Sequence, residues 1–223
     1  MEFEKSDNQL EFSEQERKET IWKNILRQVA ELKDKIGGEM DEGIMETVAA
    51  FWLHNIPTAG SCEGHIDRGS RGPWIDIEAV DKPKERFNDE TVIKNKIANQ
   101  YNTTPEAIDS YEHREAADKY WSEVTKKGET AEYIKFREQN EKLKEKVSKL
   151  LEKFYTNRKT TNEVKLKLRE IGPDGRFRIY NGDQDRTDGI EKLTENEKIA
   201  LDDKLKNRQK EMKDFTEFLK KSF

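Results

Sequence analysis

Trp74-Ile75-Asp76-Ile77-Glu78-Ala79 alternates strictly between apolar and polar positions, in a chain whose other apolar residues mostly recur at threes and fours. A period of two puts Ile75, Ile77 and Ala79 on one side of an extended segment and Trp74, Asp76 and Glu78 on the other. The simplest structure is a strand with one buried and one wet face, which commits the fold to a sheet. Residues 58–63 form a second extended segment. Residues 164–171 and 176–180 alternate on either side of Gly172-Pro173-Asp174-Gly175, whose Pro-Asp-Gly core is a hairpin turn with a stated mechanism.

Helical spacing accounts for most of the rest. Ile21, Ile25, Val29, Leu32 and Ile36 make one apolar stripe that stops at Gly37-Gly38, predicting a helix from Glu14 to that glycine signal. Ile44, Val48, Phe51 and Trp52 predict a second, from Met40-Asp41 to Asn55-Ile56-Pro57, because the residue before a proline leaves the helical region. A third is expected over 89–100. Thr104-Pro105-Glu106 opens a fourth, running through Tyr111, Ala116, Tyr120 and Trp121 to about Lys126. A long charged helix follows at 131–155, and Thr194 with Glu197 forms a capping box for a last one at 194–222. Residues 1–13, polar and aperiodic, read as a disordered tail, and 181–189 as a polar loop. With no internal repeat and no long linker, residues 14–223 are expected to form a single α+β domain: a small, mostly antiparallel sheet of three or four strands packed by several helices.

Composition narrows the function classes. Charged residues make up 40% of the chain and hydrophobic ones 32%, the polar edge of what a packed domain tolerates. The 42 Lys+Arg and 47 Asp+Glu leave a net charge of −5 and are interspersed, so an extended basic nucleic-acid surface is not the default. No apolar run approaches the ~18 residues of a membrane span, and the acidic start lacks the basic-then-apolar pattern of a signal peptide. A soluble, cytoplasmic chain without a membrane partner is expected. The single cysteine, Cys62, precludes an internal disulfide or a cysteine-rich metal cluster.

Chemically capable residues concentrate in Thr58-Ala59-Gly60-Ser61-Cys62-Glu63-Gly64-His65, followed by a loop carrying Arg68 and Arg71 and then Pro73-Trp74. The segment lies between an apolar helix and a strand, where a rigid scaffold presents loop residues. Cys62 and His65 point to opposite sides of a regular extended chain and meet only if the backbone turns, which Gly64 permits. Four readings stay open. A Cys62–His65 nucleophilic pair would take Glu63, Asp76 or Glu78 as its orienting acid. A metal site would need more ligands from Asp76, Glu78, His54 or His113, and the spacing assigns none. Anion or nucleotide binding would use Ser61, the glycine N–H groups, Arg68 and Arg71, with Trp74 to stack. A structural turn would use none of these.

The run Thr58-x-x-Ser61-Cys62-Glu63-Gly64-His65 with the following Pro73-Trp74-Ile75-Asp76-Ile77 resembles a group of uncharacterised bacterial and phage proteins sharing this segment. More distantly, it is similar to the Ser-Ser-Cys-Ser-Gly-Arg signature of the tRNA wybutosine-synthesis protein 3 family, methyltransferases acting on a modified guanosine of tRNA. Thr58, Ser61, Cys62 and Gly64 coincide, Glu63 replaces the family's serine and His65 its arginine, and the similarity covers residues 44–77. It implies that the segment is a functional edge.

Elsewhere, His54 reads as a helix-end cap, His113 as solvent-facing, and Trp52, Tyr120 and Trp121 as core. Arg176, Arg178 and Tyr180 alternate on one strand, with Lys165, Lys167 and Arg169 on its neighbour, a candidate anion or RNA face that an exposed strand with charged gatekeepers explains equally. The combined expectation is a binding or catalytic protein acting on an anionic ligand such as a nucleotide or RNA, its cofactor left open. Cys62, His65 and Glu63 are the catalytic candidates, and Thr58, Ser61, Gly64, Arg68, Arg71, Trp74, Asp76 and Glu78 the ligand contacts. The alternative is a non-enzymatic module whose long charged helices bind a protein partner.

Overall fold

The computed structural model describes residues 13–33, 39–181 and 193–223. The expected tail before Ser13, Ile36 with the Gly37-Gly38 stop, and the polar loop beyond Asn181 lie outside the described residues. Six α-helices and four strands are described: α1 (Glu14–Ala30), α2 (Glu42–Leu53), β1 (Thr58–Cys62), β2 (Trp74–Ile77), α3 (Glu90–Gln100), α4 (Arg114–Val124), α5 (Ala131–Tyr155), β3 (Lys167–Glu170), β4 (Phe177–Tyr180) and α6 (Glu195–Ser222). The strands form an antiparallel sheet in the order β1-β2-β4-β3, so β1 and β3 are its edges. The fold is helix-rich α+β, as the mixture of periods predicts. No described helix is long and apolar enough to cross a membrane.

The chain divides into two compact units. The first comprises Met1–Asp76, Leu150–Leu168 and Ile179–Phe223. Its α1 opens on a capping box: Ser13 Oγ accepts from the Glu16 N–H, and the Glu16 carboxylate accepts from the Ser13 N–H at 2.8 Å. The helix ends at Ala30, short of the predicted glycine stop. Val29 is the buried residue of α1, while Ile21 and Leu32 on the same stripe are exposed. By contrast α2 buries Ile44, Val48, Ala49, Ala50, Phe51 and Leu53, leaving almost no polar face. It packs on α6, whose Met212, Phe215 and Leu219 are buried. Phe215 lies edge-on to Phe51 with ring centroids 6.0 Å apart and tilted against Phe154 at 5.1 Å. The Thr194–Glu197 capping box that starts α6 is present as predicted.

The second unit comprises Ile77–Lys149 and Arg169–Arg178. Its core is Phe87, Ile93, Ile97, Ala98, Ile108, Ala116, Tyr120 and Val124. The single helix expected over 104–126 is broken into 3-10 turns at Pro105–Ala107 and Tyr111–His113 and then α4. Ser110 is extended (φ −74°, ψ 152°), which turns Tyr111 out to solvent while Ile108 and Ala116 both stay in the core. Trp121, expected in the core, is exposed and donates its indole N–H to Asp109 at 3.1 Å.

In the hairpin turn after β3, Asp174 is buried and accepts from Lys82 Nζ at 2.6 Å. Beside it Asn140 of α5, fully buried, accepts from the Ala79 N–H at 2.6 Å and donates to the Asp174 carbonyl at 2.7 Å. Burial raises the Asp174 pKa, but the Lys82 ammonium and the Arg176 N–H outweigh it and hold the carboxyl below its ordinary 3.8. A carboxyl whose folded pKa is depressed stabilises the fold above its unfolded value and loses that contribution as pH falls through the folded one. Asp174→Asn should therefore flatten the decline of the urea midpoint below about pH 4 relative to the unchanged chain; parallel declines would show that the Lys82 pair adds nothing.

Candidate functional site

The twelve residues of α2 rise about 18 Å, and the five residues of β1 return over about 16 Å. Strand end and helix start are thereby brought level, so Cys62 and Glu63 come back beside Asp41, the residue that precedes α2. Asp41 makes no side-chain cap bond of its own. Instead Glu63 Oε2 accepts from the Gly43 N–H in the first turn at 2.8 Å, while Asp41 Oδ2 accepts from the Glu63 N–H at 3.3 Å. This exchange places a carboxylate on the open N–H groups of the helix.

After Cys62 the backbone turns through Gly64 at φ +85°. The Gly64 N–H donates to Cys62 Sγ at 3.3 Å, and the His65 N–H donates to the Ser70 carbonyl at 2.8 Å, closing the loop. The turn does what the glycine permits and brings Cys62 and His65 together. His65 Nε2 lies 3.1 Å from Asp41 Oδ2, and its Nδ1 lies 3.9 Å from Glu63 Oε1. Ligand atoms of Asp41, Cys62 and His65 all lie within 4.8 Å of one another.

The thiol is a poor nucleophile in this arrangement. Burial pushes the Cys62 pKa up, the Gly64 N–H opposes it, and the negative charges of Asp41 and Glu63 reinforce the rise. Its side-chain hydrogen-bond neighbour is the Asp41 carboxylate rather than the imidazole, so the imidazole does not draw the proton off sulfur as an imidazole-activated cysteine requires.

Side chains of α6 hold the loop. Gln209 Nε2 donates to the Glu63 carbonyl at 3.2 Å and to the Gly64 carbonyl at 3.4 Å, and buried Arg208 donates to the Arg71 carbonyl at 2.9 Å. Arg208 and Asn181 also lie against Gly72, where a Cβ would fall 2.7 Å from the Asn181 carbonyl oxygen.

A cleft of about 640 Å³ runs along β1, lined by Leu32, Lys33, Glu39, Met40 and Asp41 together with Thr58, Ala59, Gly60, Ser61 and Trp74. The absence of a side chain at Gly60 leaves room for the Trp74 ring, which approaches the position of a Cβ there at 3.5 Å.

Of the residues singled out in the sequence, Thr58, Ser61 and Trp74 line this cleft, and Cys62, Glu63 and His65 join Asp41 beside it. Thr58 Oγ1 accepts from Trp52 Nε1 at 3.2 Å, which leaves Trp52 half-buried rather than in the core. Arg68 is exposed and Arg71 half-buried, and neither lines the cleft. Asp76 is buried, against the expected wet face of β2, and Glu78 accepts from Lys82 at 2.8 Å. His54 stands at the C-terminal end of α2, the helix-end position expected, where its backbone N–H donates to the Phe51 carbonyl while its ring Nε2 lies 2.9 Å from the Leu219 carbonyl of α6. On β3 and β4, Arg169, Arg178 and Tyr180 are each engaged within the fold. Sequence reading missed Asp41, Lys33, Glu39 and Met40 as site residues; Asp41 enters through the return of β1 alongside α2, which no local pattern marks. Compared with known protein families, curated proteins and solved structures, the chain matches none.

Proposed function

We propose that the chain is a nucleotide-binding protein whose site is the cleft along β1. The observation that carries this reading is the coincidence of a cleft of about 640 Å³, within the range of small-molecule sites, with Thr58, Ser61 and Trp74. A base stacked on the Trp74 indole gains about 1–3 kcal/mol without demanding a particular sequence. Ser61 offers a hydroxyl to the sugar or phosphate, and Lys33 supplies a cation among the described lining residues. The similarity of Thr58, Ser61, Cys62 and Gly64 to a tRNA-modifying family points to the same ligand class, either a free nucleotide or one within RNA. His65 and Glu63 are the groups able to move a proton at the end of the cleft if binding is followed by chemistry. A cytoplasmic setting goes with this reading.

Titration calorimetry of the full chain with AMP, GMP, CMP and UMP tests it. At least one is expected to bind at micromolar to millimolar Kd, and Trp74→Ala to weaken that binding by about tenfold or more with an unchanged fold by circular dichroism. Absence of heat with all four nucleotides, or an affinity indifferent to Trp74→Ala, overturns the reading.

A further inference from the structure

We infer that Asp41, Cys62 and His65 bind one divalent transition-metal ion, best matched by Zn²⁺, whose fourth coordination position takes a phosphate oxygen of the ligand in the cleft. Only that last part rests on the nucleotide reading; the three-donor site stands on its own geometry.

The donor atoms are already gathered within 4.8 Å, and tetrahedral zinc with bonds of about 2.0–2.3 Å holds its donors roughly 3.5 Å apart. His65 Nε2 and Asp41 Oδ2, at 3.1 Å, need to separate by only a few tenths of an ångström. A thiolate and an imidazole favour zinc and its neighbours over magnesium or calcium, which take oxygen donors. The surroundings are those of a ligand set rather than of an ordinary turn. Histidine ligands hand their second ring nitrogen to a carboxylate, and Glu63 stands at 3.9 Å from His65 Nδ1, anchored by the Gly43 N–H. The Gly64 N–H is aimed at Cys62 Sγ at 3.3 Å, fixing where the sulfur sits. Rigid elements carry all three donors: the start of α2, the end of β1, and a loop whose carbonyls Gln209 holds.

Charge points the same way. Glu39 and Asp41 line the cleft against the positive charge of Lys33, and the Glu63 carboxylate stands beside Asp41, so the end of the cleft that meets the three donors is net negative. A dication offsets the carboxylate of Asp41 and the thiolate of Cys62, whose proton passes to solvent on coordination, and presents a Lewis-acidic position to an anion.

The full chain, dialysed against a chelator, would be titrated with Co²⁺ and then Zn²⁺. One equivalent of Co²⁺ should bind, with a thiolate-to-cobalt charge-transfer band and the intense visible bands of a four-coordinate ion, and Zn²⁺ should displace it. Cys62→Ser should abolish the charge-transfer band. His65→Gln and Asp41→Asn should weaken binding by at least about tenfold, and Glu63→Gln by about tenfold while keeping the band. No saturable binding, or a band that survives Cys62→Ser, overturns the site. If Cys62→Ser fails to fold, alkylation of Cys62 by iodoacetamide in the unmutated chain decides: protection by one equivalent of Zn²⁺ supports the site and equal rates overturn it. Adding the four mononucleotides to the zinc-loaded and metal-free chain separates the two proposals. Zinc binding with no nucleotide binding refutes the nucleotide reading alone, and nucleotide binding without saturable zinc refutes the metal site alone.

Discussion

Asn140→Ala is expected to lower the unfolding free energy by about 2–5 kcal/mol, read as a fall in the urea midpoint with an unchanged slope. The side chain is fully buried and bridges two backbone groups distant in sequence, the Ala79 N–H just past β2 and the Asp174 carbonyl in the hairpin turn. Removing it orphans a donor and an acceptor in a place water does not reach, and each orphan costs about 1–3 kcal/mol. Asn140→Asp separates the two contributions. It keeps an acceptor for Ala79 but loses the donor to Asp174 and adds a charge at a site with no solvent exposure, so it should be at least as damaging at neutral pH. Truncating the adjacent half-exposed Glu141 to Ala should stay within about 0.5 kcal/mol. A loss below about 1 kcal/mol for Asn140→Ala would show that the bridge is dispensable.

Gly64→Ala should be nearly as costly, at about 2–4 kcal/mol, and should disable the site as well. Two effects add. At φ +85° a side chain is strained, and the new Cβ would lie 2.7 Å from the Gly72 carbonyl carbon and 2.9 Å from the Pro73 nitrogen. Both neighbours are backbone, so neither can swing aside. Gly69→Ala isolates the first effect, because Gly69 also has positive φ (+64°) but nothing within 4 Å of the added carbon. It should cost only about 1 kcal/mol. Equal losses at the two positions would mean that the close approach to Gly72 is not a constraint. Co²⁺ binding should be lost in Gly64→Ala and retained in Gly69→Ala.

Features written in neighbouring residues were legible in the sequence. The Thr194–Glu197 capping box, the bounds of α5 and the Pro-Asp-Gly turn all follow from interactions spanning four residues or fewer, whereas Gly64 only permitted the turn that joins Cys62 and His65. The misses share a cause. Leu32 continues the stripe of α1 in the sequence, yet the helix ends at Ala30 and Leu32 lines the cleft instead. Tyr111 and Trp121 keep helical spacing, yet the core takes Ile108 and Ala116 instead, and the chain breaks at Ser110 to satisfy them. Asp41 shows the same limit at the site. Read locally it is an acid before a helix, and only the return of β1 alongside α2 makes it a partner of Cys62 and His65. Periodicity reports which residues want burial or a turn; it does not report which distant residues arrive together.

The loop from Glu63 to Arg71 is held by donors that follow it by 137 to 146 positions, from Arg208 and Gln209. During synthesis, a nascent chain that has already exposed Cys62 and His65 to solvent still has most of its length to make before those donors leave the ribosome. Until then the loop lacks those three bonds. The clamp on the loop is therefore a late event in the life of each molecule, and a polypeptide released before α6 carries every residue of the site but lacks the donors that hold its loop.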